Sequence, residues 1–283
     1  MQDFNASPLK KCCSACDILI VLYGVFCKND RGEMMSVMIH AAIYQQTGLR
    51  NIRAKKPCGD VVFFRETSDL LFYALADGQS NKSHGYDGGM VVLNCIANYI
   101  QNIGISKMLS MPFLDEIPFL LTREFRKALL SVAQQQDCLF TEYASTVLAV
   151  AIDPISGDYL LIHLGDGCIV GIQSNNSDII LSPPENVFFQ QHTWLTTSDF
   201  MLSHLHIRMG KILNLRRIIL MTDGATPLCH GKNIPSRAKR ILADKDPNRI
   251  LESLKNPNIH DDASCIVLDV TLRSDVQTIC QTI

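Results

Sequence analysis

Short apolar runs broken by polar, glycine-rich turns dominate the chain. Val61–Phe64 and Leu70–Ala76 are rich in β-branched and aromatic residues, and the polar turn Arg65–Asp69 separates them. That pattern predicts a β-hairpin. Ser36–Tyr44 reads as an earlier strand. Gly78–Gly89 is polar and glycine-rich, hence a loop. Gly88–Ile103 is apolar over a broad face and predicts a buried helix; Glu116–Gln136 predicts a second. Three strand signals follow, at Thr146–Ile152, Tyr159–Leu164 and Cys168–Ile172. Their connections, Asp153–Asp158 and Gly165–Gly167, are too short to hold a crossover helix, so antiparallel neighbours are expected. Ser198–Leu213 reads as helical, Arg217–Thr222 as a strand, Ser236–Leu254 as a helix and Ser264–Leu272 as a closing strand.

Strands that group as hairpins, with helices between the groups, argue against a doubly wound parallel sheet. They favour an α+β fold of antiparallel sheets with helices packed outside. There is no internal repeat and no low-complexity tract. Residues 1–33, cysteine-rich and then apolar, stand outside the pattern as an N-terminal extension. One domain is expected over 34–273, with a short tail at 274–283.

Composition narrows the function classes. At 47% hydrophobic and 19% charged, the chain has the apolar mass for a core and is not of a disordered class. Its net charge of −2 makes it a poor candidate for nucleic-acid binding and gives it no electrostatic address for anionic membranes. The apolar run Ile18–Phe26 is far short of the roughly 20 residues of a transmembrane helix. The chain is therefore expected to be soluble and cytoplasmic. Eleven cysteines, an odd and scattered set, suit buried reduced thiols better than a disulfide scaffold. Cys13 and Cys16 form a CxxC beside Cys12 but lack a second ligand pair for zinc, and His204 and His206 complete no zinc motif and are expected to be solvated.

The aspartates carry the chemical signal. Asp60 immediately precedes one predicted strand, and Asp77-Gly78 follows the next. Asp223-Gly224 follows Arg217–Thr222, Asp261-Asp262 precedes Ser264–Leu272, and Asp166 lies between glycines and between two strands. Asp-Gly is a common turn dipeptide, and any one of these taken singly reads as a turn. As an ordered set they point elsewhere. Carboxylates converging on one spot repel unless a cation neutralises them, and an oxygen-only set suits Mg²⁺ or Mn²⁺.

The order of these motifs resembles the metal-dependent protein phosphatase family, type 2C, in its bacterial-type branch. The residues that carry the resemblance are Pro57-Cys58-Gly59-Asp60, Leu75-Ala76-Asp77-Gly78, Ala144-Ser145-Thr146-Val147, Leu164-Gly165-Asp166-Gly167, Leu220-Met221-Thr222-Asp223-Gly224 and Asp261-Asp262-Ala263-Ser264, with Thr193-Trp194-Leu195-Thr196 as a late segment. The resemblance spans roughly 35–272. It implies a four-layer αββα sandwich: two stacked antiparallel sheets flanked by helices. It implies two divalent ions, Mg²⁺ or Mn²⁺, with a third possible. Asp77 would bridge the two ions, the Gly78 carbonyl would bind one, Asp223 and Asp261 would hold the other, and Asp60 would act mainly through a water. These residues are the expected catalytic and metal-binding set. The implied activity is hydrolysis of phosphoserine or phosphothreonine in protein substrates, with a cognate Ser/Thr kinase as a possible opposing partner.

Two departures stand out. Gly59 replaces the usual Glu or Gln, and Gln79 follows Asp-Gly where His or Met is frequent. They keep open a catalytically degenerate phosphatase that serves as a binding or regulatory module. The basic stretch Arg50, Arg53, Lys55 and Lys56 reads either as a solvated loop or as a source of phosphate contacts.

Overall fold

The structure, a computed structural model, describes residues 17–28, 34–110, 114–185, 193–225 and 258–273. In chain order its strands are β1 (Asp17–Lys28), β2 (Met34–Gln46), β3 (Asp60–Glu66), β4 (Leu71–Asp77), β5 (Val147–Ile152), β6 (Asp158–Leu164), β7 (Cys168–Gln173), β8 (Asp178–Ser182), β9 (His206–Lys211), β10 (Leu215–Met221) and β11 (Ala263–Arg273). The helices are α1 (Leu49–Arg53), α2 (Gly85–Ile103), α3 (Ile105–Leu109), α4 (Ile117–Gln135) and α5 (Met201–His204).

The strands form two antiparallel sheets, a six-stranded one in the order β1-β2-β11-β10-β7-β8 and a five-stranded one in the order β3-β4-β5-β6-β9. The sheets stack through alternate residues. In β4, Leu71, Tyr73 and Leu75 face the other sheet, where they meet Ile39 and Ile43 of β2, Ile218 and Leu220 of β10, and Ile266 and Leu268 of β11. Phe72, Ala74 and Ala76 face the helices. Both faces of the strand are therefore buried, which explains why its sequence is a continuous apolar run rather than an alternation.

Helices α2 and α4 cover the five-stranded sheet. Val92, Leu93, Ile96, Ala97 and Ile100 of α2 and Ile117, Leu121, Phe125 and Leu129 of α4 recur at helical spacing and pack into one cluster with the outer residues of β3 to β6. The outward residues of the six-stranded sheet, among them Ile219, Met221, Cys265 and Val267, are also fully buried. The helix expected at Ser236–Leu254 lies outside the described residues, as does the Cys13/Cys16 pair. Among the described residues no helix is long and apolar enough to cross a membrane.

The structure corrects the sequence reading in four places. The stretch read as an extension supplies a strand: β1 pairs with β2 from Asp17↔Gln45 to Lys28↔Met34 at the edge of the six-stranded sheet. β6 and β7 are not neighbours. The turn Gly165-Asp166-Gly167 carries the chain from one sheet to the other, and Gly165 has φ 117°, a conformation costly for any residue with a Cβ. Ser198–Leu213 holds only the single turn α5 before β9, which pairs with β6. Here tertiary pairing overrides local pattern. His204 and His206 are not simply solvated either: both pair with Glu185, at 3.1 and 2.6 Å, and His204 stacks on Trp194.

Candidate metal centre

The topology brings the strand-end aspartates together. Asp60 opens β3 and Asp77 closes β4, and the two are direct partners in the antiparallel ladder. β10 and β11 are likewise antiparallel neighbours. Asp223 at the exit of one therefore lies at the same end as Asp261 and Asp262 at the entry of the other. The sheet-crossing turn adds Asp166.

Backbone ties fix each position. The Asp77 carbonyl accepts the Thr146 N–H at 2.9 Å, and the Asp77 N–H donates to Thr146 Oγ1 at 2.8 Å. The Gly78 N–H donates to the Gly59 carbonyl at 3.2 Å, and Gly78 bridges to Ser145. A Cβ on Gly78 would lie 2.5 Å from the Gly85 carbonyl carbon, so only glycine lets this loop pass against the start of α2. Ser145 is held in turn by Thr196, whose N–H donates to the Ser145 carbonyl at 2.9 Å, and Thr193 Oγ1 donates to Asp166 Oδ2 at 2.6 Å.

The carboxylates repel one another. Asp60, 1% exposed, has its pKa driven well above the ordinary range by burial and then by the charges of Asp262 and Asp223. Asp77 is raised by burial and by Asp60, Asp223, Asp166 and Asp261. Asp223 is pushed up to about 7 by burial and by Asp166 and Asp261. Among the described residues no lysine or arginine pairs with Asp60, Asp77 or Asp223. The nearest such contact is Arg50 with Asp261, at 3.9 Å between two half-exposed side chains. Arg50 also donates to Ser80 Oγ, whereas Arg53, Lys55 and Lys56 are exposed.

Asp262 behaves differently from its neighbours. Its Oδ1 accepts the Gly48 N–H at 2.7 Å, and its Oδ2 accepts Asn51 Nδ2 at 2.6 Å and the Gly59 N–H at 2.5 Å. It clasps α1 and the entry to β3 onto the start of β11. A Cβ on Gly59 would come within 3.3 Å of that same carboxylate oxygen, so Asp262 leans into the space beside Gly59. Nothing in the local sequence separates Asp262 from Asp261. Nor does it single out Thr222, whose hydroxyl donates to Asp60 Oδ2 at 2.9 Å and accepts the Ser264 N–H at 2.9 Å.

All four predicted carboxylates, Asp60, Asp77, Asp223 and Asp261, thus meet at one end of the sandwich with the Gly78 backbone between the strands. As they stand, no three His, Cys, Asp or Glu side chains among the described residues close around a point that would hold an ion. The donor chemistry nonetheless fits a hard cation. The groups are all oxygen, the partly buried charge of Asp60, Asp77 and Asp223 has no basic partner among the described residues, and Mg²⁺ keeps several waters while binding only one or two carboxylates.

Comparison with known proteins agrees with this architecture. The family model described as protein phosphatase 2C matches residues 47–256. Similar folds include the crystal structure of RsbX in complex with magnesium, 14% identical with a TM-score of 0.55 over 89% of this chain and 100% of that one. The catalytic domain of the serine/threonine protein phosphatase PstP in complex with two manganese ions is 15% identical, with a TM-score of 0.56 over 83% and 99%. The serine/threonine phosphatase Stp1 from Staphylococcus aureus is 12% identical, with a TM-score of 0.55 over 81% and 94%. No curated protein sequence matches the chain.

Proposed function

Because the chain belongs to the protein phosphatase 2C family, we propose that it hydrolyses phosphoserine or phosphothreonine in protein substrates with the help of two Mg²⁺ or Mn²⁺ ions. The observation that carries this reading is the gathering of Asp60, Asp77 and Asp223, with raised proton affinities and no described cation beside them. Asp77, the Gly78 carbonyl, Asp223 and Asp261 would hold the ions, which would supply an acidified water and neutralise phosphoryl charge. The chain's own part is positional. Thr222 orients Asp60, Thr146 fixes Asp77 from both backbone atoms, and Asp262 holds the Gly59-Asp60 entry in place. Arg50, beside Asp261 and Ser80, would contact phosphoryl oxygens. None of the cysteines is needed as a nucleophile.

Gly59 favours a second reading, a degenerate phosphatase acting as a binding module. It removes the Glu or Gln side chain that the resemblance leads one to expect there, and Asp262 takes up the space beside it. Hydrolysis of p-nitrophenyl phosphate and of phosphopeptides, with and without Mn²⁺, separates the two. Metal-dependent turnover that falls by roughly a thousandfold in Asp223→Asn supports the enzyme. No turnover with either substrate at any metal concentration supports the module.

A further inference from the structure

At the start of α2, three side chains outside the proposed metal-binding set contact one another in turn. Cys138 Sγ lies 3.5 Å from His84 Nε2, and the opposite ring nitrogen, Nδ1, lies 3.3 Å from Asp87 Oδ2. Two further contacts fix the imidazole. Its ring stacks on Tyr143 at 4.9 Å between centroids with 15° between planes, and the His84 backbone N–H donates to the Glu142 carbonyl at 3.2 Å. The Tyr143 ring beneath it is 1% exposed, and its hydroxyl has no hydrogen-bond partner among the described residues. Since the imidazole turns one nitrogen to the sulfur and the other to the carboxylate, the arrangement is a relay and not a metal cage.

Cys138 also differs from the other described cysteines. Cys58, Cys168 and Cys265 are buried. Cys95 is partly exposed, but its thiol is pushed up to about 11 by burial and by Glu124. Cys138 is a partly exposed free thiol that faces a histidine nitrogen, and its sulfur also lies 3.2 Å from the Gln136 carbonyl.

We propose that Cys138, with His84 as general base and Asp87 as the group that orients it, is a reactive thiol site that hydroperoxides oxidise to a sulfenic acid. Asp87 accepts the Nδ1 proton and so leaves Nε2 free to take the thiol proton. As that proton moves to His84, the sulfur attacks the terminal oxygen of the hydroperoxide. An S–O bond forms and the O–O bond breaks. The leaving oxygen takes the proton back from His84 and departs as water or an alcohol. Sulfur loses two electrons and the peroxide gains them; one thiol can later condense with the sulfenic acid to a mixed disulfide and water, and a further thiol reduces that disulfide to restore Cys138. The site sits at the start of α2, on a loop whose other end is Gly78, but its chemistry does not depend on the phosphatase reading.

The test treats the intact chain with hydrogen peroxide at neutral pH, traps sulfenic acid with dimedone and locates the adduct by mass spectrometry, with glutathione as reference. Cys138 is expected to react about tenfold faster than glutathione, with Cys58 and Cys95 unlabelled. His84→Gln should bring Cys138 down to the glutathione rate, and Asp87→Asn should lower it part of the way. A wild-type rate at or below that of glutathione overturns the proposal, whether or not the variants fold. An unchanged rate in a folded His84→Gln variant also overturns it.

Discussion

Asp269, with its side chain 18% exposed, and the buried Asp60 are both acids on sheet strands, but their surroundings differ in kind. Asp269 on β11 faces Arg217 on β10, its direct partner in the ladder, and the buried guanidinium grips it through two nitrogens, one at 2.8 Å. There the protein supplies its own counter-charge. At the strand ends, Asp60, Asp77 and Asp223 meet more carboxylates, and the Thr222 hydroxyl donates to Asp60. Burying a charge without a partner is costly, so a fold that gathers several like charges reserves the place for something that carries the opposite sign.

Substitutions at the two regions should have opposite signs. Arg217→Met strands Asp269 and is expected to destabilise by about 3–5 kcal/mol, read as a lower urea midpoint. A neutral result would mean that the ladder pair is not needed to neutralise the acid.

His163 shows a third treatment of a buried ionisable group, which is to keep it neutral. Its ring is 1% exposed, Nδ1 lies 2.7 Å from Ser182 Oγ, and burial, aided by His206, lowers its pKa to about 3. A histidine whose folded pKa is depressed takes up its proton in the unfolded chain first. Stability from this group is complete above the unfolded pKa of about 6.5 and is lost as pH falls from there toward 3. Between pH 7 and 5 the loss should be about 2 kcal/mol. His163→Gln should flatten that part of the curve, and an equally steep fall in the variant would refute the assignment.

Asp223→Asn removes one of the mutually repelling charges. In metal-free buffer it should stabilise the chain by about 1–2 kcal/mol, against the usual direction for a substitution at a family motif. A loss of stability would show that the carboxylate is compensated after all. The smallest effect is expected at Thr222. Thr222→Val leaves Asp60 Oδ2 and the Ser264 N–H without the hydroxyl and should cost about 1 kcal/mol, with Thr222→Ser restoring it.

The sequence made the acidic end largely legible because its residues are marked twice. Each of Asp60, Asp77, Asp223 and Asp261 borders an apolar run, and runs joined by short turns must return to the same end of a sheet. What the pattern could not show depends on contacts between segments distant in the chain. Nothing local says that Asp262 turns to three N–H donors on α1 and at the β3 entry while Asp261 does not. Nothing local says that Gly165–Gly167 changes sheets, because turn length limits the path of the chain and not the partner of the next strand. His206–Lys211 is a strand only because β6 offers it a free edge, and β8, with its polar Asp178 start, went unread for the same reason.

Isothermal titration calorimetry of the intact metal-free chain with Mn²⁺ shows whether the strand-end aspartates take up ions. Uptake of two ions per chain, with binding weakened at least tenfold in Asp77→Asn, is expected. A folded chain that takes up no divalent ion would contradict a two-ion centre.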